Sequence, residues 1–250
     1  MSLDLPPPGE AALLLDVDGT LLDLAPTPEA VVVPPDLPGT LRRLRAALGD
    51  ALAVVSGRPV EQIDALFDGI PYAVAGEHGG AIRHRPGDPI VRAALPDPPP
   101  EWILRAADIV EGHPGTLLEQ KLRGFVFHYR QAQQFGPALR EAALALIAPQ
   151  ADRFQVLEAS MAWEIRPRGV DKGVAVETLC AEAPFAGRRP IFIGDDVTDE
   201  DGIRAARVFS GVGLLVPRTF GTPDRVRSWL RRSADALDHG GNWADAQPGV

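Results

Sequence analysis

Cysteine occurs once in the 250 residues, at Cys180. Without a second thiol the chain can form no intrachain disulfide, and neither a four-cysteine zinc centre nor one of two cysteines and two histidines can be assembled. A reducing compartment, and so a cytoplasmic location, is the expectation. Basic residues are also short, with 25 Lys and Arg against 34 Asp and Glu, a formal net charge of −9. A surface of that sign repels nucleic-acid phosphates and anionic lipid headgroups, so neither partner is expected. No apolar run approaches the roughly 20 residues that a membrane helix requires. The opening segment from Met1 to Glu10 holds Asp4 and Glu10 but no Lys or Arg, which removes the basic start of a secretory signal.

The rest of the composition is that of a folded soluble chain, with 45% hydrophobic and 24% charged residues. Its length leaves room for one large domain or two modest ones. Proline, at 25 residues, is about twice its usual share, which suits many short elements separated by stiff turns.

Short apolar runs alternate with helical spacing near the start. Ala11 to Leu15 is continuously apolar and closed by Asp16-Val17-Asp18-Gly19, the pattern of a strand buried on both faces of a parallel sheet. A helix follows from Pro38 to Leu48, a strand from Ala51 to Val55, a helix from Val60 to Phe67 and a strand from Tyr72 to Ala75. The alternation resumes with a helix from Lys172 to about Ala183, a strand Pro190 to Ile193, a helix Glu200 to Ala206, a strand Val208 to Val212 and a closing helix Asp224 to Leu237. Cys180 reads as apolar filler within that first late helix.

Between these stretches the texture changes. Pro96-Asp97-Pro98-Pro99-Pro100 is a stiff connector. It opens a segment of helix (Glu101 to Glu111), two strands (Leu117 to Lys121, Phe125 to Arg130), helix (Pro137 to Ala148) and two strands (Arg153 to Glu158, Ala162 to Arg166). Strands joined by short turns argue for an antiparallel sheet with helices on one face. The expected architecture is therefore α/β: a doubly wound, mostly parallel, Rossmann-like core over residues 1–97 and 168–250, with an α+β domain inserted at 98–167.

Ligands of open α/β sheets bind beyond the carboxyl ends of the strands. The polar residues placed there are Asp16, Asp18, Ser56, Arg58, Asp195, Asp196 and Asp199, with Lys172 at the start of a helix. Asp16 and Asp18 are two apart and share a face if the chain stays extended, an arrangement that repels unless a cation intervenes. Mg²⁺ is held by one or two carboxylates plus waters and substrate phosphate, so Asp16, the Asp18 carbonyl and Asp195 could hold it. A free aspartate can also attack phosphorus, with Lys172, Ser56 and main-chain N–H groups around the phosphoryl oxygens. A calcium loop does not fit, because Leu21 and Thr27 occupy the positions where Gly and Glu are needed.

D-V-D-G-T at 16–20, S-G-R at 56–58, K-G at 172–173 and G-D-D-V-T-D-E-D at 194–201 resemble, in order and spacing, the four motifs of haloacid dehalogenase-like (HAD) phosphatases. The insertion resembles the type 2 cap of that superfamily. Within it L-E-Q-K at 118–121, F-H-Y-R at 127–130 and W-E-I-R-P at 163–167, together with G-E-H-G-G at 76–80, are similar to trehalose-6-phosphate phosphatases.

The resemblance implies roles by position. Asp16 is the nucleophile and Asp18 the acid and base. Asp16, Asp18, Asp195 and Asp199 form the Mg²⁺ site. Ser56, Gly57, Arg58 and Lys172 bind the phosphoryl group, and Glu119, Lys121, His128, Arg130 and Glu164 bind the sugar, with His78 a further candidate. On the residues alone, Glu119-Lys121 and His128-Arg130 read as charge pairs on a solvated sheet rather than as a binding site. The implied activity is Mg²⁺-dependent hydrolysis of a small sugar phosphate, trehalose 6-phosphate, by a monomer. Sucrose 6-phosphate or a glycosyl-phosphoglycerate as substrate, phosphoryl transfer to a second sugar, and a non-catalytic binding module stay open as alternatives.

Overall fold

The computed structural model describes residues 3–25, 27, 30–159 and 161–243. Its elements run β1 (Ala11–Leu15), α1 (Leu37–Ala47), β2 (Leu52–Val55), α2 (Val60–Phe67), β3 (Ala73–Gly76), β4 (Ala81–Arg83) and β5 (Val91–Arg92). There follow α3 (Pro100–Glu111), β6 (Leu117–Lys121), β7 (Gly124–His128), α4 (Gly136–Ile147), β8 (Phe154–Ala159) and β9 (Ala162–Pro167). The chain closes with α5 (Lys172–Cys180), β10 (Arg189–Gly194), α6 (Asp199–Val208), β11 (Val212–Leu215), α7 (Val216–Thr219) and α8 (Pro223–Asp238). Two compact units result, one of residues 1–93 with 170–250 and one of 94–169. Among the described residues no helix is long and apolar enough to cross a membrane.

The first unit holds a seven-stranded sheet in the order β11-β10-β1-β2-β3-β4-β5. Strand β1 pairs in parallel with both β10 and β2, and every one of its five residues is fully buried. That is why it reads as an unbroken apolar run rather than an alternating one. Helix α1 packs on α8 and α5 on α6; Val226, Trp229 and Leu230 of α8 are fully buried, one helical face turned inward. The polar loops that follow β1, β2 and β10 lie at the same, carboxyl, end of a parallel sheet.

Three local readings from sequence needed correction. Strands β4 and β5 went unseen: they are three and two residues long and pair antiparallel at the sheet edge, too short for a periodic signal. The segment Val208 to Val212 is not a strand. Helix α6 runs on to Val208, Ser210 turns back with φ +57°, and the strand starts at Val212, so the apolar run was a helix end plus a turn. Strand β7 ends at His128, which leaves Arg130 in the following turn.

The second unit is a four-stranded antiparallel sheet, β6-β7-β9-β8. Side chains alternate between its faces. Phe125, Phe127, Phe154 and Ile165 turn one way and pack with Trp102 and Ala106 of α3 and Leu139, Ala143 and Leu146 of α4. Trp102 meets Phe154 edge to face at 5.0 Å between ring centroids. The cross-strand pairs Glu119↔Val126, Val126↔Glu164 and Gln155↔Arg166 put Glu119, Glu164 and Arg166 on the opposite, polar face.

Candidate active site

Asp16 is the first residue past β1 and still in register with β10, its N–H donating to the Ile193 carbonyl at 2.9 Å. The chain then folds back, the N–H groups of Leu21 and Leu22 both reaching the Val17 carbonyl at 2.9 Å. Gly19 makes this turn with φ +79°, and a Cβ there would collide with the Asp195 carboxylate. The turn thus needs glycine twice over, for its backbone and for the approach of the β10 loop. Thr20 Oγ1 donates to Asp16 Oδ2 at 3.2 Å.

Lys172 opens α5, where the Asp171 side chain caps the helix by accepting from the Val174 N–H at 2.9 Å. Its ammonium donates to Asp16 Oδ1 at 2.7 Å and to Asp199 Oδ1 at 2.6 Å. Asp199, the first residue of α6 and wholly buried, accepts on its other oxygen from the N–H groups of Asp195 and Asp196, each at 3.0 Å. Asp199 therefore fixes the loop that carries Asp195. A side chain at Gly194 would collide with Asp199, which is why glycine precedes the acidic pair.

These groups are badly matched in charge. Burial, with the Asp199 charge and in spite of Lys172, holds the Asp16 carboxyl well above the usual range. Burial and the charges of Asp199 and Asp196 push Asp195 up to about 7. Burial opposes the Lys172 charge, but Asp16 and Asp199 more than offset it and hold the ammonium above its ordinary range. One cation thus faces three carboxylates, and Asp16, Asp195 and Asp199 can each offer an oxygen within 4.8 Å of the others. An all-carboxylate donor set of this kind suits a hard divalent cation.

The Asp18 side chain stands apart from this cluster. Arg58 holds both its oxygens, Nε at 2.6 Å and Nη2 at 2.7 Å. Among the described residues the carboxylates close enough to share a metal ion are Asp16, Asp195 and Asp199, whereas the Asp18 carboxylate, expected among the ligands, pairs with Arg58.

Ser56, Gly57 and Arg58 follow β2. Ser56 Oγ is buried and accepts from the Arg58 N–H at 3.2 Å. A short turn, residues 77–79, braces this loop: the N–H of His78 donates to the Ser56 carbonyl at 2.9 Å and that of Glu77 to the Arg58 carbonyl at 3.0 Å. Both Glu77 and His78 have φ +54°, a left-handed geometry that non-glycine residues adopt at a cost of about 1–2 kcal/mol each. A Cβ on Gly57 would stand 2.6 Å from His78 Nε2, and one on Gly79 2.8 Å from the Asp171 carbonyl. The turn wedges the S-G-R loop on one side and the start of α5 on the other.

In the second unit, Glu119 accepts from Lys121 at 2.9 Å and pairs with His128 Nε2 at 2.7 Å. The His128 bond pulls the Glu119 carboxyl down to about 2, against the effect of burial and with help from Lys121. Glu164 lies two strands across in the same row and is buried. Arg130 lies in the turn beyond the end of β7 rather than on the strand with His128.

Thr20 and the bracing role of the 77–79 turn were not anticipated from sequence. The sequence carries a signal of both clusters, since its only two lysines, Lys121 and Lys172, among 25 basic residues each lie in one of them. Cys180 is buried in α5, where burial pushes its thiol up to about 11.

The trehalose-phosphatase family matches residues 14–225 of the chain. The trehalose-6-phosphate phosphatase of Escherichia coli K12 is 36% identical over 237 residues, covering 90% of this chain and 87% of that protein. A probable trehalose-phosphate phosphatase of Sinorhizobium fredii is 40% identical over 208 residues, 82% and 77% of the two chains. The C-terminal domain of C. albicans trehalose-6-phosphate phosphatase has the same fold, with a TM-score of 0.67 at 23% identity, covering 79% of this chain and 74% of that one. With matches across most of its length, this chain belongs to the trehalose-phosphatase family of phosphoric monoester hydrolases.

Proposed function

We propose that the protein hydrolyses trehalose 6-phosphate to trehalose and inorganic phosphate through an aspartyl phosphate on Asp16. The observation that carries this reading is the Lys172 ammonium set between Asp16 and Asp199 at 2.7 and 2.6 Å, beside Asp195. A buried nucleophile, its counter-cation and a hard-cation donor set occupy one loop cluster.

An Asp16 carboxylate oxygen attacks phosphorus while the bond from phosphorus to the sugar oxygen breaks, and Asp18 gives that oxygen its proton. Asp18 then takes a proton from water as the water oxygen attacks the phosphoryl group, and the bond to Asp16 breaks to release phosphate. Lys172, Ser56 Oγ and the main-chain N–H of Gly57 hold the phosphoryl oxygens. Arg58 orients Asp18 and stays within reach of the same oxygens. Asp16, Asp195 and the Asp18 carbonyl would hold Mg²⁺, which when bound offsets charge on the transferring group. Glu119, Lys121, His128, Arg130 and Glu164 supply donors and acceptors for disaccharide hydroxyls.

Asp16→Asn tests the chemistry. The amide keeps the shape but is no nucleophile, so phosphate release should fall about a thousandfold or more while the fold is retained. Full turnover in that variant contradicts the mechanism.

A further inference from the structure

Arg166, on β9, is 8% exposed, yet its Nε and Nη1 have no hydrogen-bond partner among the described residues. A guanidinium does not discharge by losing its proton, so a buried one with orphaned N–H groups is costly until an acceptor arrives.

The sheet register shows what kind of acceptor fits. Arg166 and Glu164 are i and i+2 on β9 and project to one face, which Glu119 and Lys121 share through the pairs Glu119↔Val126, Val126↔Glu164 and Lys121↔Gly124. Gly124 stands between Lys121 and Arg166. A Cβ on Gly124 would collide with the Ile165 carbonyl and lie 3.4 Å from the Arg166 Cα. The face is therefore bare of side chain between two cationic residues, with Glu119 and Glu164 one row along.

We infer that Arg166 is a sugar-binding residue whose Nε and Nη1 N–H groups donate to hydroxyl oxygens of the disaccharide phosphate. This rests on the proposed substrate. Donors on Lys121 and Arg166 alternate with acceptors on Glu119 and Glu164, which matches hydroxyl groups that both give and take hydrogen bonds.

The test compares wild type, Arg166→Met and Arg166→Lys in steady-state kinetics and thermal unfolding, with trehalose and inorganic phosphate as separate ligands. Arg166→Met should lower kcat/KM for trehalose 6-phosphate about 10- to 100-fold and that for an aryl phosphate by less than about twofold. Arg166→Lys should show a smaller loss on trehalose 6-phosphate than Arg166→Met. The ligand-free Met variant should melt no lower than wild type, because an unpaired buried charge has gone, a result that a merely structural role would reverse. The rise in Tm given by trehalose should vanish and that given by phosphate should remain. Equal losses on both substrates, a lowered Tm, or loss of the phosphate response instead would overturn the assignment. Wild-type protein inactive on trehalose 6-phosphate would defeat the substrate reading itself, whereas active wild type with unchanged Arg166→Met kinetics would defeat only the role of Arg166.

Discussion

The Arg58 guanidinium closes on the Asp18 carboxylate with two hydrogen bonds, 2.6 Å to one oxygen and 2.7 Å to the other. Both Asp18 oxygens are engaged by Arg58, so the proposed acid role requires that one of them be freed. Under the proposed mechanism the phosphoryl oxygens would compete with Asp18 for Arg58.

Asp18→Asn separates the two half-reactions. An aryl phosphate has a good leaving group and needs little acid, so this variant should give a burst of about one phenolate per site and then stall for want of the base. Mass spectrometry should find one phosphoryl group on Asp16. Steady turnover without a burst would remove Asp18 from the second step, and a phosphoryl group elsewhere would remove Asp16 as the nucleophile.

Divalent cation binding should depend on pH through Asp195. With its carboxyl near 7, the free protein carries a proton that the cation must displace, so Mg²⁺ affinity should rise as pH climbs through that value. The sign for the metal-free protein is opposite. A raised carboxyl favours the folded state while protonated, so its contribution is full below 3.8 and lost as pH rises toward about 7. Thermal unfolding with Mg²⁺ and with a chelator measures both. Mg²⁺ protection that does not change between about pH 5 and about pH 8 would exclude Asp195 as the site.

Glu119 should act the other way. Its carboxyl, lowered from 4.5 to about 2, contributes stability above 4.5 that is lost as pH falls toward 2. Glu119→Gln removes the titrating group, so the Tm difference between wild type and variant should shrink across that window. A difference that stays constant would mean that the His128 and Lys121 contacts do not form in solution.

Gly19→Ala probes the approach of the two acidic loops. The φ of +79° and the Asp195 carboxylate both exclude a Cβ, so the substitution should cost at least about 1 kcal/mol of stability. It should weaken Mg²⁺ protection as well, since Asp195 must move. Wild-type melting and Mg²⁺ response in this variant would show that the loops do not meet there.

Much of the core was legible because buried parallel strands announce themselves as apolar runs, as Ala11–Leu15 does, with polar residues at their ends. Strands β4 and β5 were not, since two or three residues at a sheet edge carry no period. In the site, Asp16, Lys172 and Asp199 could be named from motif order, because a fixed loop spacing sets their positions. Which oxygen each group takes is a property of three-dimensional packing. The Asp18 side chain illustrates this: only in the fold does Arg58, 40 residues on, claim it. The left-handed pair Glu77 and His78 likewise carries no clear mark in sequence, since neither is a glycine. Arg166 stayed hidden because burial of a charged strand residue shows only in three dimensions.

The most direct measurement is phosphate release from trehalose 6-phosphate, sucrose 6-phosphate, glucose 6-phosphate and an aryl phosphate, each with Mg²⁺ and with a chelator. The predicted result is rapid release from trehalose 6-phosphate, a clear preference over the other three, and its abolition by the chelator. Mg²⁺-dependent release that favours another sugar phosphate would contradict the substrate, and silence on all four would contradict turnover itself.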